Sequence, residues 1–135
     1  MIVVDSNILV YLWLPGMATE TAQMVWQQDD NWHVPILWRS ELRNVLVGYL
    51  RRGALDFEAV ETVMQSMEET LKPNEHLVQS TSVLALARAS NCSTYDCEFV
   101  ALAEALSVPL VTEDKVILKA FPKWARTMKD FLTAN

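Results

Sequence analysis

Cysteine is scarce in this chain, with Cys92 and Cys97 the only two. Two thiols cannot build a disulfide framework, and no Cys-x-x-Cys pair or Cys/His cluster marks a zinc site. Reduced thiols suit a cytoplasmic protein. Glycine and proline are also few, 3 and 5 residues, which leaves little room for flexible linkers. No apolar run reaches the ~18 residues of a membrane span. Met1 to Leu14 is apolar enough to resemble the core of a secretory leader, but it has no basic start, because the first Lys or Arg is Arg39. Asp5 and Asn7 interrupt it as well, so it reads as the first strand and first helix of a soluble fold.

Positive charge is the next shortage. Eleven Lys and Arg face 17 Asp and Glu, for a net charge of -6. That balance argues against broad, nonspecific nucleic-acid binding, which needs a basic surface. The distribution is uneven, however. Lys115, Lys119, Lys123, Arg126 and Lys129 occur with no acid between them, so the C-terminal part can present a basic rim on an acidic body. A solvated helix face explains the same lysines equally well.

What the sequence does contain is a globular composition. Of its 135 residues 51% are hydrophobic and 21% charged, which fits one domain spanning 1–135 with a real core. Short apolar strands alternate with helical patterns. Strands are expected at Ile2–Val4, Trp32–Pro35, Glu75–Gln79 and Pro109–Thr112. Helices are expected over 6–14, 18–28, 37–52, 57–71, 81–89, 94–106 and 114–121, and the last stretch is mixed. Asn-Gly and Asp-Gly hairpin signals are absent. Strands separated by helices imply an α/β fold, a parallel sheet with helices on both faces. Ligands in such folds sit beyond the carboxyl ends of the strands, where the next helices begin.

Four carboxylates fall near that edge. Asp5 follows the first strand directly, and Asp114 follows Leu110-Val111-Thr112 after one residue, Glu113. Asp96 lies in the first turn of the 94–106 helix, about 60° from the centre of its apolar stripe. Glu41 lies about 80° from the stripe formed by Trp38, Leu42, Val45, Leu46 and Tyr49. Each has an ordinary reading: Asp5 and Asp114 as helix caps, Asp96 as partner to Ser93 in a capping arrangement, Glu41 as a surface acid. Together they are less ordinary. Two like charges 4 Å apart cost about 4 kcal/mol at an effective dielectric of 20. Convergence therefore requires raised pKa values or a bound cation. Carboxylate oxygens without Cys or clustered His select a hard ion, Mg²⁺ or Mn²⁺, suited to phosphoryl chemistry.

Asp5-Ser6-Asn7, Ser40-Glu41-Leu42, the Tyr95–Glu104 run Tyr-Asp-Cys-Glu-Phe-Val-Ala-Leu-Ala-Glu, and Leu110-Val111-Thr112-Glu113-Asp114 together resemble the PIN domain family. The spacing is most similar to the small single-domain PIN nucleases, including VapC-type toxins of toxin–antitoxin pairs. The resemblance implies a three-layer α/β/α fold with about five parallel strands. It implies a Mg²⁺- or Mn²⁺-dependent endoribonuclease leaving a 5′-phosphate and a 3′-hydroxyl. It carries metal and catalytic roles onto Asp5, Glu41, Asp96 and Asp114, with Ser6, Asn7 and Thr112 as polar support and Ser6 orienting Asp5. Lys115 and Lys119 become contacts to RNA phosphates. Homodimerisation and an antitoxin partner follow from the same likeness, and so does an alternative, a catalytically quiet PIN-fold dimerisation or partner-binding module.

Other chemistry fits less well. Haloacid-dehalogenase-like phosphatases want Asp-x-Asp after the first strand, and Asn7 stands at the second position. Receiver domains want paired acids there and an Asp in mid-chain. Ser6 has no His or Lys placed to activate it as a nucleophile. His33 and His76 show no partner spacing, and Cys97, about 160° from the apolar centre of its helix, reads as an incidental thiol. Trp13 and Leu14 are the candidates for exposed interface residues, with packing beneath the next helix as the other reading.

Overall fold

Five short strands pair side by side, all parallel, in the order β3-β2-β1-β4-β5 in the computed structural model, which describes residues 1–134. They are β1 (Ile2–Val4), β2 (Trp32–Pro35), β3 (Glu75–His76), β4 (Leu110–Val111) and β5 (Ala125–Arg126). Central β1 is fully buried, as a near-continuous apolar run predicts for a parallel strand covered on both faces. Its register pairs Val3 with His33 on one side and with Leu110 on the other.

The helices are α1 (Ser6–Trp13), α2 (Thr19–Gln28), α3 (Trp38–Arg51), α4 (Phe57–Leu71), α5 (Ser80–Arg88), α6 (Thr94–Leu106), α7 (Lys115–Ala120) and α8 (Met128–Thr133). Helix α6 lies on β1, β2 and β4 and carries α5 on its outer side; α1, α2, α3, α4 and α8 pack among themselves as a second group. The expected three layers and about five strands are therefore present. Local signals account for most boundaries. The Asp56 side chain accepts from the Ala59 amide to start α4, and Ser93 accepts from the Asp96 amide to start α6. Gly53 follows α3 at φ 71°, a left-handed position where a Cβ is disfavoured.

Several expectations are corrected. The Glu75–Gln79 strand shortens to Glu75–His76, and the mixed C-terminal stretch contains β5 and α8. A two-residue strand is defined by its neighbour and has no periodicity of its own. His33 and His76 are partners after all: Nδ1 of His33 lies 2.8 Å from Nε2 of His76, because pairing of β2 with β3 sets Pro35 opposite His76, and His33, two residues before Pro35, shares its face of the strand. Cys97 is fully buried, since α6 buries side chains both toward the sheet and toward α5. Leu14 is buried too, and half-buried Trp13 stands edge-on to Trp26 while its ring N–H donates to Ser66.

The strand order fixes where a ligand belongs. From β1 the chain winds outward through β2 to β3, then returns to place β4 and β5 on the other side of β1. The winding direction reverses between β1 and β4, and the crevice beyond their carboxyl ends is the binding position of doubly wound folds. Asp5 and Asp114 are the acids that follow these two strands.

Candidate functional site

Asp5 ends β1 and caps α1. Its Oδ1 accepts from the Ser6 amide at 2.8 Å, and its Oδ2 accepts from the Thr112 hydroxyl at 2.7 Å. Only 8% of the residue is exposed. Burial raises its pKa from 3.8 to about 6, against the lowering effect of the two hydrogen bonds, and the charges of Asp96 and Asp114 add to the rise. Thr112, fully buried after β4, also accepts from the Asp114 amide at 3.0 Å, so one hydroxyl ties the ends of the two central strands together.

The other three carboxylates reach the same field. Glu41 sits half-buried on the first turn of α3, and its Oε1 accepts from the Ser6 hydroxyl at 2.7 Å. Burial raises its pKa, and the charges of Asp5, Asp96 and Glu98 do so further. Asp96, in the first turn of α6, is raised by burial and by Asp114. Asp114 caps α7, with Oδ1 accepting from the amides of Val116 and Ile117 at 2.8 and 3.2 Å. The capping and functional readings of Asp5 and Asp114 coexist: capping occupies some of their oxygen lone pairs and fixes the direction of the rest.

The structure also refines the supporting residues. The Ser6 hydroxyl orients Glu41, and it is the Ser6 backbone amide that holds Asp5. Glu113 accepts from the Met128 amide at 2.9 Å and belongs to the start of α8, which leaves Asp114 as the acid facing the others. In the first turn of α1 the Asn7 carboxamide oxygen is buried without a partner. Lys115 and Lys119 are exposed, and among the described residues neither pairs with an acid. Among the described residues the two cations that do pair are the N-terminus, with Asp29, and Arg39, with Glu75 and Glu68 across α3, α4 and β3.

No three His, Cys, Asp or Glu side chains close on a single point among the described residues. The four acids are coupled through the electric field and are not drawn into a tight cage. Their chemistry still fits a hard divalent ion. The donors are all oxygens, no cation neutralises them among the described residues, and one buried carboxamide oxygen in the adjoining turn has no donor. Mg²⁺ in particular keeps several waters and takes only one or two carboxylates directly, so a tight protein cage is not required.

Thr112→Val tests the support given to Asp5. The substitution keeps the shape and removes the hydroxyl that lowers the Asp5 pKa. The expected result is an Asp5 pKa above its present value and a loss of stability of about 1–3 kcal/mol at neutral pH, from a buried carboxylate oxygen left without a donor. Titration followed by carboxyl-carbon NMR measures the first and denaturant unfolding the second.

Comparison with known proteins places this geometry in context. The family model for the PIN domain matches residues 2–122. Over 124 residues the chain is 28% identical to Ribonuclease VapC3 of Pyrobaculum aerophilum, covering 90% of this chain and 95% of that protein. The crystal structure of PAE2754 from Pyrobaculum aerophilum superposes with a TM-score of 0.77 at 20% identity, over 98% of this chain and 94% of that one. A chain of a toxin–antitoxin complex from Klebsiella pneumoniae superposes with a TM-score of 0.67 at 18% identity, over 95% and 98% of the two chains.

Proposed function

The chain belongs to the PIN domain family, and from that premise we propose that it is an endoribonuclease, the toxin of a toxin–antitoxin pair, whose acidic site works with Mg²⁺ or Mn²⁺. The observation that carries the reading is the coupling of Asp5, Glu41, Asp96 and Asp114 at the switch point of the sheet, with burial and mutual repulsion holding three of them above their usual pKa. Capping accounts for the places of Asp5 and Asp114 at helix starts and not for the crowding of all four. The curated relative is a ribonuclease and a solved relative is part of a toxin–antitoxin complex, which supports the substrate class and the partner.

Asp5, Asp96 and Asp114 would hold the ion, with Glu41 completing the set. When bound, a divalent ion neutralises charge on the phosphate and makes water a better nucleophile near neutral pH. The residues do the rest. Ser6 fixes one oxygen of Glu41, so the other can accept the proton of an attacking water. Oxygen of that water bonds to phosphorus, the bond from phosphorus to the 3′-oxygen breaks, and the leaving oxygen takes up a proton. A 5′-phosphate and a 3′-hydroxyl result. Asn7 and Thr112 hold the polar frame, and Lys115 and Lys119 contact RNA phosphate. Cys92 and Cys97 are free thiols, which suits the cytoplasm. We assign a homodimer and an antitoxin as partners; exposed Ile36, Leu77 and Leu84 offer apolar area for either.

A second reading, a catalytically quiet partner-binding module, is favoured by one observation: the acids do not close on a point. Incubation of the purified protein with Mn²⁺ and end-labelled single-stranded RNA separates the two. EDTA-sensitive cleavage with 3′-hydroxyl products supports the enzyme, and no cleavage under those conditions supports the module. The fourth acid has its own check. Asp114→Asn is expected to lower the cleavage rate by roughly 10²-fold, while Glu113→Gln keeps it within about threefold, because the carboxamide oxygen can still accept from the Met128 amide.

A further inference from the structure

Beside the acids, a cavity of about 560 Å³ opens between the turn that joins α5 to α6 and the exposed face of α7. Ser90 and Asn91 line it on one side, Lys115, Val116 and Lys119 on the other, and two alanines complete it. The lysines are the only charged groups in its wall, on a chain of net charge -6. Both are exposed, and among the described residues neither ammonium is paired.

This cavity adjoins the acidic site. Lys115 is the residue after Asp114. Cys92 lies beneath the turn, its thiol 4.0 Å from the Val116 carbonyl oxygen, and it feels the charges of both Asp96 and Asp114. The Ser90 hydroxyl donates to the Leu86 carbonyl and accepts from the Cys92 amide, which holds the turn in place. A second cavity, lined by Ile36, Leu77, Val83 and Leu84, has Glu98 as its only charged group, and Glu98 in turn acts on Glu41. The two cavities adjoining the acids therefore differ in sign, and an anion is favoured in only one of them. A volume of this order holds a nucleotide, and two ammonium groups beside uncharged hydrogen-bonding side chains suit a phosphate better than a carboxylate-rich or apolar ligand.

We infer that the cavity between the α5–α6 turn and α7 is a subsite for one nucleotide next to the scissile bond, its phosphate on Lys115 and Lys119 and its base edge toward Asn91. This assignment rests on the ribonuclease reading and adds to it a direction: the RNA leaves the acids on the α7 side. It also makes Asn91, a single exposed amide able to donate and accept, a residue that discriminates between bases at that position.

The test uses the Asp5→Asn protein, which binds RNA without consuming it, and a short fluorescein-labelled single-stranded RNA titrated by anisotropy at several salt concentrations. Lys115→Gln/Lys119→Gln is expected to weaken binding roughly tenfold and to flatten the salt slope by about 1.4, the value for two lost phosphate contacts on a single strand. Arg51→Gln/Lys72→Gln, an equal loss of charge elsewhere, is expected to leave the slope unchanged. Asn91→Ala in the otherwise unaltered enzyme is expected to broaden the set of cleaved positions when products from a mixed-sequence RNA are sequenced. A nucleoside 5′-monophosphate added as competitor separates a free-nucleotide site from a subsite of the chain: a mononucleotide that displaces RNA completely at micromolar concentration overturns the subsite. So does an unchanged slope in the Lys115/Lys119 variant, or an equal fall in the control, even where the wild-type protein cleaves RNA. Failure of the Asp5→Asn protein to bind RNA at all overturns the nuclease reading and the subsite with it.

Discussion

Asp5→Asn is expected to lower RNA cleavage by roughly 10²–10³-fold and, in metal-free buffer at neutral pH, to raise the melting temperature. The two effects have one cause. Asp5 is nearly buried and its folded-state pKa is about 6, above the 3.8 of an ordinary carboxyl. The folded protein therefore holds this proton more tightly than the unfolded chain. The stability it contributes is fully present below about pH 4, falls as pH rises through about 6, and is flat above that. At neutral pH the ionised group costs about 3 kcal/mol. Asparagine removes that cost. Its Oδ1 can still accept from the Ser6 amide, but its amide nitrogen would face the Thr112 hydroxyl, whose hydrogen now points at Asp5 and would lose its acceptor. That loss offsets about 1 kcal/mol. A net gain of about 2 kcal/mol corresponds to roughly 6–8 °C for a domain of this size. The gap between variant and wild type should close as pH is lowered from 7 to 4. A variant that melts below wild type at pH 7, or that keeps EDTA-sensitive cleavage, would remove Asp5 from the site.

Adding Mg²⁺ or Mn²⁺ is expected to reverse the order of stability. An ion that binds the folded state alone stabilises it by about 2.7 kcal/mol at a hundredfold excess over Kd, or roughly 8–10 °C here. In the wild-type protein that gain includes relief of the repulsion among Asp5, Glu41, Asp96 and Asp114. Asp5→Asn and Asp96→Asn should each blunt the shift, and EDTA should restore the metal-free value. Affinity well short of that of a permanently held structural ion is expected. Thermal scans with and without each ion measure this. No shift at millimolar Mg²⁺ and Mn²⁺, in a protein whose cleavage ignores EDTA, would sink the metal-dependent mechanism.

Helix boundaries were largely legible in the sequence because their causes are local. Ser93 before α6, Asp56 before α4 and Gly53 after α3 act within one turn of themselves. The class of the fold was legible for a similar reason: buried parallel strands are short apolar runs, and Ile2–Val4 and Trp32–Pro35 stand out as such. Strand β5 left no signal, since two residues, Ala125 and Arg126, are a strand only because β4 lies beside them. A helical wheel misplaces Cys97 because it assumes one buried face, and α6 has more than one.

The sequence by itself determined which acids stand at helix starts and strand ends, and therefore that a hard-cation chemistry was available. Only the tertiary structure decided that those acids share one field. Asp5 and Thr112 are 107 residues apart, and Ser6 and Glu41 are 35 apart; nothing in either segment encodes the other's position. Their meeting follows from strand order, which puts β4 beside β1 and aims both carboxyl ends into one crevice. The same non-local pairing joins His33 to His76 and separates Glu113 from Asp114 by giving each a different helix to cap. Local patterns depend on neighbours along the chain, whereas a site depends on contacts whose free energy exists only once the sheet has formed.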